Sequence, residues 1–124
     1  MLRDKSSSAI VAVTDIDRAR SFYATTLGLE LEEDMGEVLT FRTGETFLVV
    51  YKSDMAGTNK ANAVVWAVGD EIDTIARDLK AKGVSFRHYE MDGVTMEGDV
   101  HVAGDFRMVW FADPDGNILH LNSM

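Results

Sequence analysis

The chain has 124 residues, of which 46% are apolar and 27% charged, enough for one domain with its own core, and it has no cysteine. The missing thiols exclude disulfides, zinc–thiolate centres and cysteine nucleophiles, and a formal net charge of −9 argues against a nucleic-acid partner while suiting a cationic guest. No apolar run approaches the ~20 residues of a membrane span, and the polar start Met1–Ser6 does not read as a secretory leader, so no membrane and a cytoplasmic location are expected.

Residues 9–14, Ala-Ile-Val-Ala-Val-Thr, are short and β-branched and predict a strand. Thr14 and Asp15 offer helix N-caps. Ile16, Ala19, Phe22, Tyr23 and Leu27 recur at helical spacing, and Gly28 stops the helix as a C′ glycine. Three strands follow: 29–33, 38–42 and 46–51. After a loop, 52–62, the pattern recurs. Residues 63–68 read as a strand, and Asp70 starts a helix with an apolar stripe of Ile72, Ile75, Ala76 and Leu79. Gly83 stops it, and 84–89 reads as another strand. The Gly- and acid-rich residues 90–104 read as a mobile lid, with a calcium-like oxygen cage as the rival reading, and His101 falls in that loop. Two alternating runs, Phe106–Ala112 and Ile118–Leu121, then flank Asp113-Pro114-Asp115-Gly116. Pro114, the only proline, stands at the second position of a turn, so the tail is a β-hairpin.

The recurrence is regular. Val13 and Val68, Asp15 and Asp70, Gly28 and Gly83, and Leu29 and Val84 are pairs with one common offset. Two such units are too few for a solenoid. The reading is an α+β protein of two tandem βαβββ modules, about 8–52 and 62–123, within one domain 1–124. Each helix covers one face of its curled mixed sheet, burying Val11, Val13, Val64, Trp66, Val68, Leu119 and Leu121. The uncovered faces are expected to enclose a cleft.

The stretches Val13-Thr14-Asp15-Ile16-Asp17-Arg18-Ala19-Arg20-Ser21-Phe22-Tyr23, Leu27-Gly28-Leu29 and Phe111-Ala112-Asp113-Pro114-Asp115-Gly116-Asn117 give the chain a resemblance to the vicinal oxygen chelate superfamily. That superfamily includes glyoxalase I, extradiol dioxygenases, fosfomycin-resistance enzymes and bleomycin-resistance proteins. The resemblance implies a homodimer and, in the enzymes, a divalent metal. Its ligands are a His opening the first strand, a His opening the first strand of the second half, and a Glu in the last strand. Glyoxalase-like members add a carboxylate from the fourth strand. These positions fall on Ser8, Ala63, His120 and, for the extra carboxylate, near Val49. His120 alone is a good ligand, and a catalytic centre needs about three. No cofactor is therefore expected, with His120 as the one weak metal candidate. His88 and His101 show no spacing that suggests convergence with it.

Strand parity then gives the lining of the expected cleft. The ligand-binding set is Ser8, Phe47, Val49, Tyr51, Ala63, Val65, Phe106, Met108, Trp110 and His120, with Ile10, Ala12, Ala67, Ile118 and Asn122 on the same faces. Trp110 and Tyr51 are placed to stack on a ring or a cation. Arg42, Arg87 and Arg107 are expected on outer or rim positions. No catalytic pair is visible. The expected function is metal-free binding of a small organic molecule, an antibiotic or another aromatic or cationic compound. The alternatives are a metal-dependent lyase, transferase or dioxygenase with a non-standard ligand set around His120, and a partner-binding regulatory module whose pocket is filled by its own side chains.

Overall fold

Strand β1 (Ala9–Val13) begins a chain that the computed structural model describes over residues 1–124. The chain divides into two units: Met1–Asn59 with Pro114–Asn117, and Lys60–Asp113 with Ile118–Met124.

In the first unit Asp15 caps helix α1 (Ile16–Ser21), its side chain accepting the Arg18 N–H at 3.0 Å. The helix then widens into a π turn, Phe22–Thr26, closed by the Leu27 N–H on the Phe22 carbonyl at 2.9 Å. Tyr23 is buried there, edge-on to Phe22 and 5.8 Å from the Phe41 ring. Gly28, at φ +73°, takes the left-handed conformation that ends the helix. Strands β2 (Glu30–Asp34), β3 (Val38–Thr43) and β4 (Thr46–Lys52) complete the sheet in the order β1-β4-β3-β2. Only the β1–β4 pair is parallel. Val11, Val13, Leu39, Phe41, Leu48 and Val50 are buried on one face of this sheet, and Ala19 and Tyr23 of the helix are buried with them. That alternation is what the sequence predicts.

The Pro-Asp-Gly-Asn turn has its own partners in this unit. Asp115 Oδ1 accepts the Thr14 backbone N–H at 3.1 Å and the Thr14 hydroxyl at 2.6 Å, and pairs with Arg18 at 3.2 Å. Asn117 Nδ2 donates to the Ala12 carbonyl at 2.8 Å. An Asp115→Ala substitution is expected to cost about 0.5–1.5 kcal/mol, because it removes the two hydrogen bonds from the exposed Thr14 and the Arg18 pairing. Chemical denaturation measures it, and a loss below about 0.5 kcal/mol would show that water replaces the carboxylate freely.

In the second unit, β5 (Asn62–Ala67) leads through a 3-10 turn, Gly69–Glu71, to α2 (Ile72–Ala81), whose Ile72, Ala76 and Leu79 are buried as the apolar stripe predicts. Strands β6 (Phe86–Arg87), β7 (Thr95–Glu97), β8 (Val100–Ala103), β9 (Phe106–Ala112) and β10 (Ile118–Asn122) follow. Their order is β5-β10-β9-β8-β7, with β6 also paired to β9. Phe86 and Arg87 lie opposite Phe111 and Trp110, whereas His101 and Ala103 lie opposite Met108 and Phe106. Two short strands thus share the edge of β9 that β10 leaves free.

This arrangement corrects three expectations. The strand read over 84–89 is only Phe86–Arg87, because the Tyr89 N–H leaves the ladder and bonds His101 Nε2 at 2.9 Å. Residues 90–104 are not a lid: β7 and β8 form a hairpin built into the sheet, turning at Gly98 (φ +63°) and Asp99. His101 is accordingly a fully buried strand residue rather than a loop residue. Arg107 keeps the outer position expected of it, on the helix side of β9. Its guanidinium bonds Asp73 of α2 at 2.7 Å and Glu97 of β7 at 2.9 Å.

Candidate functional site

The helix-free face of the second sheet brings six of the ten expected binding residues together. Phe106, Met108 and Trp110 alternate along β9, and the register sets Trp110 against His120 and Met108 against Asn122. On the other side of β10, Val65 lies opposite His120, with Ala63 two residues earlier on the same face. The remaining four belong to the first unit. Ser8 is exposed ahead of β1, while Phe47, Val49 and Tyr51 are half-buried on the helix-free face of β4. Arg42 lies 4.9 Å from the Phe47 ring centroid while bonding Glu32 at 2.6 Å.

In the second unit the polar groups form a row of rings. Trp110 stacks on His120, with centroids 4.5 Å apart and planes at 22°. His101 meets Trp110 at 4.8 Å, near perpendicular, and Tyr89 meets it at 5.4 Å. His88 lies 6.2 Å from His101. All three histidines of the chain are therefore on one continuous row, a convergence that their spacing in sequence conceals. Tyr89 and His101 were not among the expected site residues. The signal available for His101 is the Gly98-Asp99 dipeptide, which joins two short alternating runs as a hairpin turn does.

The hydrogen bonds fix the ring chemistry. His120 Nδ1 faces the Val109 carbonyl at 3.1 Å and must donate to it, which leaves Nε2 as an acceptor. Asn122 Nδ2 donates to that nitrogen at a long 3.4 Å. Burial pushes the His120 pKa down, against the opposing pull of the Val109 carbonyl. The His101 pKa is pushed down in the same way, chiefly by burial. The Met108 carbonyl favours its protonated ring without reaching a formed hydrogen bond to Nδ1. Asp99 is held below the usual carboxylate range by His88 at 2.7 Å and Lys80 at 3.0 Å. Beside this row, Asn62, Ala63, Val64, Val65 and His120 line a depression of about 270 Å³.

Ser8, Val49, Ala63 and His120 stand at the chelating positions, and no three His, Asp or Glu side chains anywhere in the chain converge as a cation requires. His120 also keeps its rings' company: one face is against Trp110 and one nitrogen is committed to the backbone.

Two mixed sheets, each with one helix over one face, define an α+β protein built from a repeated strand–helix–strand plan. Residues 6–121 match the model of the Glyoxalase/Bleomycin resistance protein/Dioxygenase superfamily, and the chain belongs to that superfamily. In fold it is similar to the fosfomycin resistance protein FosX from Mesorhizobium loti, with a TM-score of 0.72 and 13% identity over 100% of this chain and 94% of that one. Lactoylglutathione lyase from Agrobacterium tumefaciens gives 0.71 and 17% over 98% and 95%. An integron cassette protein from the mobile metagenome of the Halifax Harbour sewage outfall gives 0.72 and 20% over 98% and 99%. No curated protein sequence matches the chain. No helix is long and apolar enough to cross a membrane.

Proposed function

We propose that this protein binds a small organic molecule, aromatic or cationic, on the helix-free face of its second sheet, without inner-sphere metal. One observation carries this reading: on the helix-free face, Val65 is 57% exposed beside the buried imidazole of His120, while Met108, Ile118 and Asn122 of the same face are buried around it. An open apolar surface with one oriented polar group is the composition of a small-molecule site. The half-buried residues Phe106 and Trp110 extend it, and Phe47, Val49 and Tyr51 give the first unit an apolar surface of the same kind. The absence of a chelating trio supports binding over metal-assisted catalysis.

Tryptophan fluorescence tests this. Titration with a panel of aromatic and cationic compounds is expected to quench emission saturably, and Trp110→Phe is expected to remove most of that change while Trp66 still reports folding. No quenching by any compound would end the binding reading. Stoichiometric iron, manganese, zinc or nickel in protein purified without added metal would replace it with a metal-dependent enzyme.

A further inference from the structure

The orientation of His120 says which guests that face accepts, an inference that rests on the binding reading above. Its Nδ1–H is spent on the Val109 carbonyl. Its Nε2 lone pair meets only the Asn122 amide at 3.4 Å, near the outer limit for a hydrogen bond. The Asn122 amide is itself anchored, since its Oδ1 accepts the Met124 N–H at 3.2 Å. His120 therefore keeps an under-used acceptor, and the same side chain lines the depression. The other polar side chain there is the amide of Asn62, and neither a guanidinium nor an ammonium lines the depression. We propose that the site selects flat, neutral or cationic molecules carrying an N–H or O–H donor, which His120 Nε2 accepts, and that it rejects carboxylates, phosphates and phosphonates.

The chemistry is one-sided for a physical reason. An anion brings only acceptors, and a neutral imidazole whose single N–H is already bonded has no donor left for it, which leaves only the uncharged Asn62 amide as a side-chain donor lining the depression. Protonation would supply one, but burial disfavours the charged ring at this position. The net charge of −9 opposes an approaching anion as well.

A matched set of probes reads this out: 2-naphthol, 2-methoxynaphthalene and 2-naphthoate, titrated into the intact protein by calorimetry. The first two differ by one donor. The naphthol is expected to bind about tenfold more tightly than its methyl ether, the worth of one hydrogen bond to a part-buried acceptor, and the naphthoate is expected to bind weakest. His120→Phe should erase the preference of naphthol over ether, and His120→Gln, whose amide oxygen can take the place of Nε2, should keep part of it. Equal affinity for naphthol and ether in the unmodified protein overturns the proposal and leaves the binding function standing. Tightest binding of the naphthoate overturns it too. If none of the three binds, this proposal falls, while the binding function is decided by the fluorescence panel. The comparison within the unmodified protein decides even if neither variant folds.

Discussion

Gly57→Ala is expected to destabilise the protein by about 3 kcal/mol or more, while Gly44→Ala costs only about 1 kcal/mol. Both glycines sit at positive φ, +78° and +58°, so both substitutions force a side chain into the left-handed region. They differ in what the new methyl group would meet. At Gly44 nothing lies within 4 Å, whereas at Gly57 the carbonyl oxygen of Asp115 already occupies the space of a Cβ. That carbonyl cannot swing aside cheaply. Asp115 is held by the Thr14 amide, the Thr14 hydroxyl and Arg18, and two residues later Asn117 is held by the Ala12 carbonyl. The loop carrying Gly57 and the turn carrying Asp115 must therefore separate or distort together. Urea denaturation of the two variants beside the parent protein measures the difference. Equal losses would mean that backbone strain alone matters, and that the approach of Gly57 to the turn contributes nothing.

The same turn shows how far the sequence could be read. Pro114 and Gly116 announce a hairpin through their local backbone preferences, which need no knowledge of the rest of the fold. What Asp115 bonds to lies 101 residues away in the chain, and no local rule reaches that far. The first sheet was legible for a related reason: its strands alternate cleanly, and the buried set from Val11 to Val50 follows parity. The second sheet was legible only where its strands are long. Phe86–Arg87 and Thr95–Glu97 are too short to carry a period, and Gly and acidic residues around them mimic a loop. The candidate site divides along that line. Trp110 and His120 follow from alternation on the two long tail strands, whereas His101 and Tyr89 depend on a lateral arrangement in which two short strands share one edge. Arg107 sits on the outer side as its charge suggests, but its two carboxylate partners, Asp73 and Glu97, come from neighbouring elements that no local rule connects to it.

Acid is expected to weaken the fold between about pH 7 and pH 5, and His101 is the group to blame. Its Nε2 accepts the Tyr89 N–H at 2.9 Å, and the ring is fully buried. A protonated imidazole has no acceptor, so charging His101 sets two donors against each other at the point where β6 leaves the β9 edge. The groups facing it offer little relief. The His88 ring opposes a second positive charge, Asp99 is already bonded to His88 and Lys80, and on the other side Trp110 separates it from His120, itself buried and neutral. Burial therefore puts the folded pKa of His101 below its unfolded value of about 6.5. The sign follows. As pH falls through the unfolded value, the unfolded chain takes up a proton that the folded chain refuses, so stability drops, and the drop levels off only below the folded pKa. His120 adds to the same limb, and Asp99, whose folded pKa is depressed, adds a further loss below about pH 4. His101→Gln separates the cause, because an amide oxygen can accept the Tyr89 N–H without titrating. The variant should lose about 1 kcal/mol at neutral pH, yet its denaturation midpoint should fall less steeply than the parent's as the buffer is taken from about pH 7.5 to about pH 5.5. If parent and variant decline in parallel across that interval, His101 is not the acid-sensitive group, and the junction of β6 with β8 is held by something other than a neutral imidazole.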